Sequence, residues 1–189
     1  MPAYEKNDFL NRGRQMVAMR AQMEQIADAV CARGFDNIIM IGAGGTMCMF
    51  LKLTNIPCYS FWTQEIMTTD IHQLTSRSLV IAMSTTAREE MTNAVQYCLT
   101  RGAQVISLVG VEKSRMGDIS THTVYLAEKT GGLSYIPYYY LAFRIMHNRG
   151  FFPDYQRFAD ELAMLPEGLY QASLDFEPMA TKLATTVAN

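Results

Sequence analysis

Asn37-Ile38-Ile39-Met40-Ile41-Gly42-Ala43-Gly44-Gly45-Thr46 decides how the rest of the chain is read. A short apolar run passes straight into glycines and then into Thr46, which opens a helical pattern through Leu53: strand, glycine loop and helix in order. The glycines let backbone N–H groups approach a ligand closely, and the positive end of a helix beginning near Thr46 points at the same place. An anion, most naturally a phosphate, fits such a loop. A tight strand-to-helix turn with a hydroxyl cap would use the same residues.

The same unit recurs downstream. Leu79-Val80-Ile81-Ala82-Met83 reads as a strand that runs into Ser84-Thr85-Thr86, and Arg88 to Arg101 reads as a helix closed by Gly102. Cys58 to Trp62, Gln104 to Val109 and Thr121 to Ala127 supply three further strands, with a polar turn at Glu112-Lys113-Ser114-Arg115 between the last two. Upstream, Met16, Val17, Met19, Met23, Ile26, Ala27 and Val30 recur at helical spacing, predicting one long helix from Asp8 to Arg33 stopped by Gly34. Beyond Gly131-Gly132, Ser134 can cap a helix with Pro137 in its first turn that runs to Arg149. Two more helical stretches follow, Asp154 to Met164 and Gly168 to Leu183.

Five apolar strands alternating with helices imply a five-stranded parallel sheet, because parallel strands need crossover connections and both faces must be covered. The expected class is α/β, doubly wound. Ligands of such sheets sit beyond the carboxyl ends of the strands where chain order reverses, which singles out loops 42–46 and 84–89. The three hydroxyls of Ser84, Thr85 and Thr86 add hydrogen-bonding groups without charge, as suits a phosphate or a sugar.

Composition narrows the partners. The 189 residues carry 16 Lys and Arg against 18 Asp and Glu, so nothing draws the chain as a whole towards nucleic acid or an anionic membrane. Residues 151–189 hold six acids and two bases, an acidic tail unsuited to phosphorylated partners. Cys31, Cys48, Cys58 and Cys98 form no C-x-x-C pair, and His72, His122 and His147 lie far apart, so no zinc spacing is visible. No cofactor is expected. The N-terminal residues lack the apolar stretch of a signal peptide and no run is long enough for a membrane span, which predicts a cytoplasmic protein with reduced thiols. A dinucleotide site is disfavoured, since Met47 stands where Gly42-x-Gly44 would need a small residue, although Glu65 lies at the distance of a ribose-binding acid. A Walker loop is absent from the sequence.

These motifs together resemble the SIS (sugar isomerase) domain of phosphosugar isomerases and phosphosugar-binding regulators. The resemblance rests on Ile41-Gly42-Ala43-Gly44-Gly45-Thr46, Gln64-Glu65-Ile66, Leu79 to Thr86, and Arg101-Gly102-Ala103-Gln104-Val105-Ile106. It covers residues 35–150, preceded by a leading helix in 1–34. Residues 151–189 form a helical extension in which Ala159 to Pro166 looks like the bridge to a second SIS domain in fructosamine 6-phosphate deglycases. Within the family the nearest likeness is the first half of those deglycases, relatives of the isomerase part of glucosamine-fructose-6-phosphate aminotransferase. The resemblance implies that Gly44, Gly45, Thr46, Ser84, Thr85 and Thr86 hold a sugar phosphate, with Ser84 and Thr86 at the two serines of Ser-x-Ser-Gly-x-Thr. Two positions depart from that pattern: Ala87 replaces its glycine, and Glu89 its final phosphate-binding threonine. A carboxylate facing a phosphate is repulsive unless it is turned away or paired, as by Arg88 beside it.

Catalysis in the aminosugar isomerases draws largely on the second SIS half. In this chain Glu65 is the leading acid/base candidate, with helix capping as its structural alternative, and His72 is the weaker one. The readings are therefore half of a deglycase or aminosugar-phosphate isomerase acting on an open-chain ketosamine phosphate, or a phosphosugar-sensing or interaction module without chemistry. A homo-oligomer of two or more chains is implied by the resemblance. Tyr138-Tyr139-Tyr140 spans too many helix faces for all three rings to share one core, and with Phe143, Phe151 and Phe152 nearby it is the expected interface.

Overall fold

The computed structural model describes residues 6–42, 52, 55–126 and 135–187. Gly44, Gly45 and Thr46, the helix expected from Thr46 to Leu53, and the turn at Gly131, Gly132 and Ser134 lie outside them.

Five strands form one all-parallel sheet: β1 (Asn37–Gly42), β2 (Cys58–Phe61), β3 (Ser78–Ser84), β4 (Gln104–Val109) and β5 (His122–Tyr125), in the order β2-β1-β3-β4-β5. This is the doubly wound arrangement, with chain order reversing between β1 and β3. Ile38 and Met40 of β1 point to one face and Ile39 and Ile41 to the other, and all four are fully buried. Burial on both faces is why β1, β3 and β4 read as largely apolar runs, while the edge strands β2 and β5 are only partly covered.

One face is covered by α1 (Lys6–Ala18), α2 (Arg20–Arg33), the helix Tyr135–Asn148 and the helix Tyr155–Ala163. Between the strands on the other face run α3 (Thr63–Thr68), α4 (Glu89–Thr100) and α5 (Arg115–Ile119), which places Tyr135–Asn148 as α6 and Tyr155–Ala163 as α7. The last helix, α8 (Leu165–Val187), leaves the body after its first turns. Arg144 of α6 grips Asp28 of α2 through Nε and Nη2 at 2.8 and 2.9 Å, and this bidentate pair with Asn148 holds the Asp28 carboxyl below its usual range. Cys98 is buried in the α4 layer, where loss of water pushes its thiol up to about 12, the state of a core residue rather than a nucleophile.

Three expectations need correction. The leading helix is two: at Met19 the N–H reaches back to Met16, three residues away, in a tightened turn that divides α1 from α2. The polar turn after β4 contains α5, capped by Ser114, whose Oγ accepts the Gly117 N–H at 3.2 Å. Of the tyrosine run, Tyr138 and Tyr140 are core residues, and Tyr139 is half-buried in a chain of ring contacts with Tyr135 and Phe143. Phe143 and Phe152 also pack on the core, so that stretch is largely absorbed by the fold and only Phe151 and Tyr135 stand out of it. Among the described residues no helix is long and apolar enough to cross a membrane.

Candidate functional site

The register of the sheet brings the ends of β1 and β3 level, with Ile41 beside Ala82 and Gly42 beside Met83. Gly42 turns the chain away with φ of +89°, and a Cβ placed there would lie 2.4 Å from the Met83 carbonyl oxygen. Only glycine satisfies both the left-handed backbone and that approach. Beside it the chain leaves β3 through Ser84, Thr85, Thr86, Ala87 and Arg88 and enters α4 at Glu89.

This second loop is shaped by its own backbone. Ser84 Oγ accepts the Ala87 N–H at 3.0 Å, and the Ser84 carbonyl accepts the Gly110 N–H at 3.1 Å. Gly110 passes so close beneath Thr85 that a Cβ would lie 2.4 Å from the Thr85 oxygen. The loop is therefore fixed from below, while Thr85 and Thr86 are exposed above it. Ala87 has φ of +45°, so alanine holds the conformation that the glycine of the SIS pattern would adopt freely. Left-handed backbone costs a non-glycine residue about 1–2 kcal/mol, partly offset by the greater chain entropy of an unfolded glycine. Ala87→Gly is thus expected to stabilise the protein by about 0.5–1 kcal/mol in urea unfolding, with the slope unchanged.

α4 aims its N-terminus at this loop, and its N-cap residue Arg88 makes no side-chain capping bond. Unpaired first-turn N–H groups and the helix dipole favour an anion there. Glu89 and Glu90, both exposed, place two carboxylates in that first turn. They stabilise the helix end by roughly 0.3–1 kcal/mol each, and they compete for the position a phosphate would take.

The two acid/base candidates separate. Glu65, in the first turn of α3, is at the same edge of the sheet as the loop but two strands away, and its Oε2 accepts the Trp62 N–H at 2.7 Å. That is a capping bond, the structural alternative for this residue. His72 is exposed and at the opposite edge: its neighbour Asp70 faces Arg101, at the far end of α4 from Glu89. The structure does not bring His72 to the site. Trp62, the one tryptophan of the chain, went unremarked in the sequence beyond its place at the end of a strand. It is 74% exposed immediately after β2, at the same edge as Ser84 and about 10 Å across the sheet from it at the usual strand spacing. A lone aromatic between a strand and a helix was the available signal. Among the described residues no cluster of His, Cys, Asp and Glu could hold a metal ion.

No protein-family model matches the sequence, and no curated protein matches it. Solved structures do match the fold. A candidate phosphosugar isomerase from Clostridium difficile 630 superposes with a TM-score of 0.71 at 15% identity, over 95% of this chain and 58% of that one. The sugar isomerase domain of an RpiR transcription factor from Sphaerobacter thermophilus gives 0.60 at 16% identity, over 82% of this chain and 95% of that one. The Vibrio vulnificus NanR protein, solved in complex with ManNAc-6P, gives 0.56 at 18% identity, over 87% and 69% of the two chains. This chain spans little more than half the length of the candidate isomerases, 58%, 57% and 54% for three of them.

Proposed function

We propose that this chain, which has the architecture of a sugar isomerase (SIS) domain, binds the phosphate end of an open-chain sugar phosphate at the carboxyl edge of β1 and β3. The observation that carries the reading is the loop from Ser84 to Arg88: it is fixed by Gly110 beneath, and its exposed hydroxyls lead into the uncapped N-terminus of a twelve-residue helix. In this reading Thr85, Thr86 and the first N–H groups of α4 donate to the phosphate. Ser84 holds the loop, Gly44, Gly45 and Thr46 complete the cradle from the β1 side, and Trp62 offers a ring against which the sugar can lie.

The chemistry we assign to the assembled protein is deglycation or aldose-ketose isomerisation of a ketosamine phosphate. Moving a proton between C1 and C2 requires an acid/base group and stabilisation of the enediol or enolamine oxygen. Glu65 is held by the Trp62 N–H two strands away from the hydroxyl loop, so the acid/base groups are assigned to a second SIS unit, supplied by a longer chain or a partner. One observation favours a second reading, a sensing module without turnover. Glu89 at the start of α4 replaces a hydroxyl with a charge that weakens phosphate binding, which a sensor tuned to high ligand concentration tolerates better than an enzyme.

Thermal unfolding with fructose 6-phosphate, against free fructose and inorganic phosphate, tests the proposal. Ligand at a hundred times its dissociation constant adds about 2.7 kcal/mol, a midpoint rise of about 5–11 °C for a chain of this length. A rise specific to the sugar phosphate, with a saturable change in Trp62 fluorescence, supports the reading. Its absence at millimolar ligand argues against a competent site in this chain. Conversion of the ligand on long incubation separates the enzyme from the sensor.

A further inference from the structure

α8 is held to the body only at its beginning. Pro166 packs on Gly13 of α1, Arg14 pairs with Glu167 at 2.9 Å, and Tyr170 and Leu174 are half-buried; from Asp175 to Thr186 every residue is exposed. The sequence of this arm is poorly suited to a free helix. Pro178 lies inside it and removes a backbone donor, and Thr181, Thr185, Thr186 and Val187 are β-branched. Isolated helices of this length are marginal in water even with good formers.

The apolar residues of α8 are ordered. Leu165, Leu169, Ala172, Phe176, Met179 and Leu183 follow one another at alternating steps of four and three, the spacing of a coiled-coil seam, and Thr186 continues it. Phe176, Met179 and Leu183 are 60%, 63% and 64% exposed. At 100° per residue the seam lies roughly 140° around the helix from Pro166, Tyr170 and Leu174, so it faces away from the body.

We propose that this seam is covered by α8 of a second copy, antiparallel about a two-fold axis. In that register Phe176 meets Met179, Ala172 meets Leu183 and Leu169 meets Thr186, each twice, so large residues face smaller ones or flexible Met. The flanking charges select this direction. Asp175 and Lys182 occupy equivalent positions one heptad apart, and antiparallel pairing sets Asp175 of each helix beside the partner's Lys182 along one flank of the seam, one such pair on either side of the two-fold axis. A parallel pair would instead set Asp175 against Ala180 and Lys182 against Val187, leaving both charges unmatched. Asp175 now accepts only a local bond from Gln171 on its own helix at 2.9 Å among its described contacts. The inference stands apart from the ligand reading: it concerns a different face and does not depend on the sugar phosphate.

Sedimentation of the full chain over a concentration series tests it. The unmodified protein is expected to dimerise, and Phe176→Asp to yield a monomer whose body keeps its thermal midpoint. Asp175→Lys, which opposes like charges at both ends, should raise the dissociation constant about tenfold, and adding Lys182→Asp to it should restore most of the loss. A monomer at high micromolar protein, a dimer that survives Phe176→Asp, or a double variant as weak as the single one would each overturn the proposal.

Discussion

Gly42→Ala is expected to lower stability by about 3 kcal/mol, a fall of about 6–12 °C in the unfolding midpoint. Two costs combine. The backbone at φ +89° is left-handed, and the new Cβ would lie 2.4 Å from the Met83 oxygen and 3.0 Å from Met91 Cε. The methionine can move, but the carbonyl belongs to the ladder between β1 and β3. Gly150 provides the control. It has φ of +80° at the end of α6 but open space where its Cβ would be, so Gly150→Ala should show the backbone cost alone, about 1 kcal/mol. Urea unfolding of both variants checks this, and equal losses would show that the approach of the two strand ends is not as tight as described.

Glu89→Thr should tighten binding of fructose 6-phosphate about tenfold or more. The substitution removes an exposed carboxylate from the first turn of α4 and restores the hydroxyl of the SIS pattern. Two unit charges at 4 Å interact by about 4 kcal/mol near a protein surface and by about 1 kcal/mol in water, and an exposed side chain that can swing away belongs towards the lower figure. Since 1.4 kcal/mol is tenfold in affinity, the removed repulsion with one added hydrogen bond reaches that factor. Loss of a favourable dipole contact should cost the free protein about 0.3–1 kcal/mol, so the variant is expected to be slightly less stable without ligand and more stable with it. Calorimetric titration gives the affinities. Unchanged or weaker binding would mean that Glu89 does not face the phosphate.

Most of the sheet was legible because its strands are buried on both faces. Asn37–Ile41, Leu79–Met83 and Gln104–Val109 are apolar runs bounded by turn residues, and each lies within a residue or so of the strand found. The break at Met19 was not legible, because Met16, Met19 and Met23 keep helical spacing across it and the tightened turn leaves the buried stripe intact. α5, of five residues, is too short for periodicity to register, whereas α3, of six, was expected only as the helix that Glu65 would cap. At the site the hydroxyl loop could be read from its residue types, but its support could not. That Gly110 lies against Thr85 depends on β4 pairing beside β3, and that Ala87 is left-handed depends on the Ser84 bond closing the turn. Glu65 shows the limit of reading single residues, since a carboxylate three positions after a strand end suits a cap and a catalyst equally well until its partner is known.

A titration of the protein with fructose 6-phosphate, followed through its backbone amide NMR signals, locates the bound ligand residue by residue. The amides of Ser84 to Glu90 and the Trp62 indole are expected to shift most and saturate together, while those near Asp70 and His72 at the opposite edge stay fixed. Shifts centred on that opposite edge, or none at millimolar ligand, would contradict binding at the hydroxyl loop.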